Sequence, residues 1–541
     1  MSPRPKFLMA AAVAATSLLL AACGGGSTGG NDDGGATTPA ATTDNNQGGA
    51  DAAQIVIDTT FDIKTIDPAR EYEPTGQILV KALYDTLLTF ADDDTTKVIP
   101  DLADFEVNED STEVIVTLRE GRVFSDGNPV TADDVVFSLE RLQGLKDNPS
   151  FLLDGVTVTK VDDMTVSLTS EEPAPALPSI LATPSLGIVN SQVVIANGGT
   201  TDESDAAEAF LQETSAGSGP YILDKLDVVS EAILVKNPNY NGPQNATYET
   251  VILRNTEPAT QKMNVERGDS QVALGLSGDM VESLAADVML ESVPSATVVF
   301  LLLNANPDIS GVTSNVDYVK AVKSALDYQG LLEIAGRGAA QANGLVPSVF
   351  LGALSADQAL SYDAAAAEAA LAASGVAGQK VTLSFPNDID PTGLNLTTLA
   401  ERVQAQLAAV GIEVDLAPAP FATEIDAYRD GKEEIGLWYW NPDYMDPANY
   451  LAFGPGQKVG LRSGWEAGAN PPIEALVAQG YTVSDPETRK GIFEEWGLLM
   501  NAEAPFVPLL QPGSNVAYQP SVTNVYYNPV WLINVAALGT A

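Results

Sequence analysis

The run Trp438-Tyr439-Trp440-Asn441-Pro442-Asp443-Tyr444 sets a single carboxylate among aromatic rings, directly after a strand-like apolar stretch. A carboxylate so placed can hold a cation, because a buried positive group without a counter-charge is opposed by its own desolvation. Asn441-Pro442 breaks the strand, so Asp443 and Tyr444 fall just past its end, and strand ends facing a crevice are where open α/β sheets take ligands. A second reading fits the same residues equally well: an Asx-type turn at Asn441-Pro442-Asp443, with Trp438 and Trp440 packing a core.

Other chemistry is limited by what the chain lacks. Histidine is absent from all 541 residues, so neither a Ser-His-Asp nor a Cys-His apparatus can be assembled, nor a zinc site with histidine ligands. Carboxylate-only mechanisms stay open, and a glycosidase needs just two acids at a suitable separation. With 72 acidic residues such pairs arise without meaning. The net charge of −45 repels phosphate backbones and anionic lipid heads, which removes nucleic acid from the expected partners. That charge reads as a solubility or salt-tolerance trait of the whole surface before it reads as the mark of one ligand. No Walker motif and no dinucleotide fingerprint occurs, and no cofactor or metal is expected.

Cys23 is the only cysteine. It closes Leu20-Ala21-Ala22-Cys23 after a basic start (Arg4, Lys6) and an apolar run from Phe7 to Leu20, the layout of a cleaved leader. A lone thiol has no partner for an internal disulfide, so in an exported chain this position argues for lipidation. Residues 1–22 are therefore expected to be a lipoprotein signal peptide. Residues 23–53 are expected to be the lipidated cysteine with a Gly/Ser/Thr-rich leash that lacks apolar surface to offset the entropy of ordering. Two acyl chains would give stable attachment to the membrane.

The elements that must position Asp443 are legible from residue 54 onward. Ile55–Asp58 reads as a buried strand, and the apolar spacing from Gln77 to Phe90 predicts one long helix. Thr131 with Asp134 forms an acidic capping box ahead of the helix Val135–Leu142. Asp126-Gly127-Asn128-Pro129 is turn chemistry, and Gly217-Ser218-Gly219-Pro220-Tyr221 is a loop-to-strand corner. Two copies of helix, glycine, strand follow: Asp363–Ser374 stopped by Gly375 before Val381–Phe385, and Leu394–Val410 ended by Gly411 before Ile412–Leu416. They imply a βαβ-type lobe separate from the strand-rich region before residue 300, with the seam near Asn304 and a return near 505–510. A lobe inserted between two crossing strands implies a hinge.

The motif LREGRVFSDGNPVTADDVVFSLERL (118–142) resembles a signature of the dipeptide- and oligopeptide-binding branch of the solute-binding proteins that serve ABC importers. Ile66-Asp67-Pro68, ALYDTLLTF (82–90), GSGPYIL (217–223), KNPNYNG (236–242) and QAQLAAVGIEVDL (404–416) follow in the family's order. The resemblance implies a mixed α/β fold of two hinged lobes, the larger carrying an extra subdomain. Expected bounds are 54–87, 191–303 and 509–541 for lobe I, 88–190 for its extra subdomain, and 304–508 for lobe II. It further implies that Asp443 pairs with a peptide's α-ammonium, that Trp440 and Tyr444 wall the pocket, and that Tyr72 and Glu73 reach the ligand from the other lobe. Arg337 and Arg402 are available for a ligand carboxylate, though spacing selects neither. The implied role is non-enzymatic: a monomeric, lipid-anchored receptor on the outer face of the cell membrane that captures short peptides and presents them to the transmembrane subunits of an ABC permease. An oligosaccharide or metal chelate as ligand, a surface-anchored carboxylate glycosidase, and a cell-wall adhesin are the alternatives.

Overall fold

The computed structural model describes residues 54–92 and 94–541. The leader 1–22, Cys23 and the leash to residue 53 lie outside the described residues. No helix among the described residues is long and apolar enough to cross a membrane.

Two large sheets organise the described body. The first has seven strands in the order Met289–Pro294, Gly513–Tyr518, Val272–Ala273, Gln54–Thr59, Thr250–Asn255, Glu231–Lys236 and Tyr221–Asp227. Gln54–Thr59 lies parallel to both its neighbours, which buries it as the isoleucine-rich sequence requires. The second sheet has six strands: Ala340–Gln341, Phe506–Gln511, Val298–Leu303, Ile435–Trp440, Lys380–Pro386 and Glu413–Ala419. Lys380–Pro386 and Glu413–Ala419 run parallel, joined through the helix Leu396–Ala409, so the second helix-glycine-strand unit is a βαβ crossover. Gly375 and Gly411 follow their helices at φ of +70° and +87°, the left-handed conformation glycine adopts without steric penalty.

The strand Val298–Leu303 explains its own composition. All six residues are buried, and successive side chains point to opposite faces. Val299, Leu301 and Leu303 pack with the helices that cover one face, while Val298, Phe300 and Leu302 pack on the other with Phe453 and Phe506. A strand apolar on both faces must sit mid-sheet under cover on each side, which corrects its expected place at the end of lobe I. The chain leaves the seven-stranded sheet between Pro294 and Val298 and returns between Gln511 and Gly513. The polar stretch after Leu303 that suggested a boundary is a loop of the second sheet, held by the Asn304 amide to the Gly431 and Glu433 carbonyls at 2.8 Å each.

Within 88–190 a separate antiparallel sheet forms from Ala103–Val107, Glu113–Leu118, Thr165–Ser170 and Val156–Lys160. The helix Ala132–Leu145 opens with the expected capping box, Asp134 Oδ2 accepting from Thr131 N at 3.0 Å. The expected helix Gln77–Phe90 is shorter, Pro74–Leu83, and Leu88–Ala91 is a strand. Tertiary contacts override the local pattern here. Asp85 is buried, accepting from Arg122 Nη2 at 2.6 Å and Ser218 Oγ at 2.9 Å, and this pulls the chain out of helical register. The corner at Gly217 and Gly219 presses on the same point: a Cβ at Gly217 would lie 2.2 Å from the Leu83 carbonyl oxygen.

Glu433 is a buried carboxyl at the second sheet's end. It accepts from Trp438 Nε1 at 2.8 Å beside Glu424. Burial, together with the neighbouring Glu424, pushes its pKa from 4.5 up to about 9. The folded state therefore favours the protonated form, and the associated stability is complete below pH 4.5 and lost as pH rises through about 9. Glu433→Gln is expected to match the parent in thermal denaturation at pH 4 and to exceed it by a widening margin toward pH 9. Parallel curves for the two proteins across that range would show that Glu433 is not the source.

Candidate functional site

A cavity of about 370 Å³ lies between the two sheets' domains, within the roughly 300–1,000 Å³ of small-ligand sites. One wall comes from the start of the helix Pro74–Leu83 (Tyr72, Glu73, Gln77) and from Thr183 and Ser185. The opposite wall is the turn Asn441-Pro442-Asp443 with Thr392. The floor is the crossing segment Ala296-Thr297 with Ser514, and a C-terminal loop adds Tyr527, Pro529, Val530 and Leu532.

The Asp443 turn is braced at three points. Thr297 Oγ1 donates to Asn441 Oδ1 at 2.6 Å and Tyr450 Oη to Ala296 O at 2.8 Å, which ties the turn to the crossing. At the far end Arg489 grips Asp446 through two bonds of 2.7 and 2.6 Å, both groups buried. The crossing itself is laced by Ser295 N to Pro512 O (2.9 Å) and Gln511 Nε2 to Ser295 O (2.7 Å). These bonds tie the crossing to the turn that carries Asp443.

Asp443 is held as an acceptor from both sides. Tyr72 Oη, from the opposite wall, donates to its Oδ1, and Asn449 Nδ2 donates to Oδ2 at 2.8 Å. Asn449 is oriented in turn by Trp440 Nε1, which donates to its Oδ1 at 2.7 Å. Burial first, then the Asp443 carboxylate, push the Tyr72 phenol well above its ordinary pKa, so it stays a donor at any physiological pH. Each carboxylate oxygen has two acceptor positions, so both retain one for a further donor. Glu73 faces the cavity and pairs with the exposed Lys64.

Of the residues the sequence singled out, Asp443, Tyr72 and Glu73 converge on one cavity although 371 positions separate Tyr72 from Asp443. Trp440 and Tyr444 do not line it. Trp440 stands edge-on to Phe453 with centroids 5.6 Å apart, and both Trp440 and Tyr444 pack against the apolar cluster that holds Phe453 and Phe506, so they support the turn from behind. Arg337 and Arg402 do not line it either. Arg402 is exposed and turns to Gly330 O at 3.4 Å and Glu333 at 3.9 Å. Asn449 lies six residues past Asp443, in the segment 438–451 that the sequence marks, but without a role of its own there; the C-terminal loop carries no motif and arrives through tertiary packing. Thr392 and Leu532 adopt positive φ (50° and 58°) on the cavity wall, a conformation non-glycine residues keep only when their surroundings impose it.

The arrangement offers one fixed carboxylate able to bind a cation, a second carboxylate, and neutral hydroxyl and amide groups suited to peptide-like hydrogen bonds. Comparison with known proteins agrees in extent and kind. The sequence model of the family described as "Bacterial extracellular solute-binding proteins, family 5 Middle" matches residues 97–458. A probable D,D-dipeptide-binding periplasmic protein of Escherichia coli (strain K12) is 27% identical over 488 residues, covering 88% of this chain and 92% of that protein. Di/tripeptide-binding protein 4 of Pseudomonas aeruginosa is 24% identical over 486 residues, covering 84% and 89%. Among solved structures, an ABC transporter substrate-binding protein from Listeria monocytogenes superposes with a TM-score of 0.78 at 19% identity, covering 91% of this chain and 100% of that one. A periplasmic binding protein from Helicobacter pylori in complex with the peptide STSA does so at 0.73 and 21%, covering 90% and 98%. The fold is thus that of a two-lobed periplasmic binding protein.

Proposed function

This chain belongs to the bacterial extracellular solute-binding proteins of family 5, and from that premise we propose that it captures short peptides between its two lobes and hands them, unchanged, to the transmembrane subunits of an ABC importer. The observation that carries this reading is the convergence of Asp443 with Tyr72 and Glu73 across the interlobe cavity. The lobes comprise residues 54–294 with 513–541, including the subdomain within 88–190, and residues 298–511. The peptide's ammonium sits at the free acceptor positions of Asp443, adding its donors to those of Tyr72 and Asn449. Because Tyr72 and Asp443 belong to different lobes, their contact and the ligand both favour the shut form. Relatives named for dipeptides and di/tripeptides support the ligand class, and their being binding proteins supports a role without catalysis.

Titration calorimetry with di- to pentapeptides, cello-oligosaccharides and nickel complexes, paired with small-angle scattering, tests the reading. Peptides are expected to give heat and a contraction of the scattering envelope. Heat from saccharides or nickel complexes alone would end the peptide reading, and release of cleaved peptide would end the non-enzymatic one.

Attachment to the outer face of the membrane through a lipidated Cys23, with the monomer as working unit, completes the proposal. It is supported by the leader-like residues 1–22 and the leash that follows. Cys23→Ser is expected to move the protein from the membrane fraction to the soluble one. Retention of the serine variant on membranes would reject the lipid anchor.

A further inference from the structure

The interlobe cavity carries a charge imbalance that bears on which peptides it takes. Among the described residues that line it, the charged ones are Asp443 and Glu73, one from each lobe, and none is a lysine or arginine. The remaining polar lining, including Gln77, Thr183, Ser185 and Asn441, is neutral. The cation nearest in the bonding pattern, Lys64, is exposed and already committed to Glu73. The loop that brings Thr392 to the wall carries Asp388 and Asp390 and no base between Pro386 and Gly393. Asp390 accepts from the Asn395 amide at 3.1 Å and Asp388 from Phe421 N at 2.7 Å; both are exposed and neither lines the cavity, so they supply no base to it.

A free dipeptide brings one ammonium and one carboxylate only a few ångströms apart. Its ammonium finds Asp443. Its carboxylate, shut into the same cavity, meets Asp443 and Glu73 and finds no lysine or arginine among the described lining residues, the Lys64 partner of Glu73 being exposed, and an unpaired buried charge is strongly opposed. A ligand whose carboxyl is masked, or offset by a basic side chain, avoids that penalty, and its positive charge competes at Glu73 only with the exposed Lys64, a pair that solvent weakens. The exposed surface does not decide the matter, since salt screens charges beyond about 8 Å under physiological conditions; the carboxylates on the cavity wall do.

Resting on the peptide-binding reading above, we propose that the cleft selects peptides of net positive charge over zwitterionic dipeptides. Amidated and lysine- or arginine-bearing short peptides are its preferred class, and Glu73 is a specificity-determining residue alongside Asp443.

The test is calorimetry at pH 7 on the full mature protein with Ala-Ala, Ala-Ala amide and Ala-Lys, with cellobiose as an uncharged non-peptide. Ala-Ala amide is expected to bind at least tenfold tighter than Ala-Ala, with Ala-Lys between them. In the Glu73→Gln variant the ratio of amide to acid affinity is expected to shrink several-fold. Ala-Ala binding as tightly as its amide would overturn the inference and leave the peptide reading standing, as would a ratio untouched by Glu73→Gln. Silence from all three peptides with heat from cellobiose would instead remove the peptide reading, and this inference with it.

Discussion

Replacing Arg141 by alanine is expected to lower the unfolding free energy by about 3–5 kcal/mol, the usual consequence of leaving a buried carboxylate without its partner. Arg141 donates to both oxygens of Asp67 at 2.7 and 2.6 Å and to Asp205 at 2.9 Å through two nitrogens. The side chains of Arg141, Asp67 and Asp205 are all 0% exposed. Arg70 adds bonds to Asp205 and to Asp147. This network fastens the subdomain helix Ala132–Leu145 to the loop that leads into Tyr72 and Glu73, so its loss also loosens one wall of the cavity. Arg119→Ala is the control: its pair with Asp104 is 39% and 67% exposed, and its loss is expected to change stability by about 0–1 kcal/mol. Urea unfolding monitored by tryptophan fluorescence measures both. Equal losses in the two variants would show that the buried network does not hold the subdomain.

The same network sets a pH signature. Burial alone would raise the pKa of Asp205, but the hydrogen bonds and charge of Arg141 outweigh it and hold the carboxyl at about 2, down from 3.8. Its stabilising contribution is complete above pH 3.8 and lost as pH falls through about 2. The deficit of Arg141→Ala relative to the parent is accordingly expected to narrow on acidification toward that value.

Asp443→Asn is expected to weaken peptides with a free amino terminus by about 2–5 kcal/mol, the range for removing one member of a buried charge pair. N-acetylated peptides, which bring no ammonium, serve as the comparison and are expected to change far less. The surroundings of Asp443 also respond to the substitution. Trp440 Nε1 fixes which way the Asn449 amide faces, so its Nδ2 points at an oxygen position that the new carboxamide fills with either an oxygen or an NH₂ group. Part of any loss then comes from local rearrangement, and the free-to-acetylated ratio, not the absolute affinity, isolates the charge. Calorimetry on both peptides with both proteins completes the cycle. Free and acetylated peptides binding the parent protein equally would refute the ammonium role of Asp443.

These two expectations show how unevenly the sequence discloses the molecule. Asp67 and Arg141 stand out in it only as members of separate motifs, with nothing to say that they meet across 74 positions. Local rules worked where a local cause acts: the capping box at Thr131 and Asp134, and the glycines that end two helices. They failed at Asp85, where an apolar period runs on but a buried ion pair stops the helix. They failed again at Asn304, where a change to polar residues marks a loop of the second sheet and the true crossing, Ser295–Thr297, has no distinctive composition.

From residues alone came the exclusion of histidine chemistry and of nucleic acid, the mixed α/β character, the βαβ unit, and the family resemblance that pointed to Asp443. Those follow from composition, short-range periodicity and motifs, which are written along the chain. The pairing of Tyr72 with Asp443, the orienting of Asn449 by Trp440, the withdrawal of Trp440 and Tyr444 behind the turn, and a cavity lined, among the described residues, by two acids and no base were decided only by folding. The pairing of Tyr72 with Asp443 and the cavity lining join positions far apart in sequence, and even the nine-residue step from Trp440 to Asn449 is set by packing and by the need to satisfy buried polar groups, neither of which has a local period.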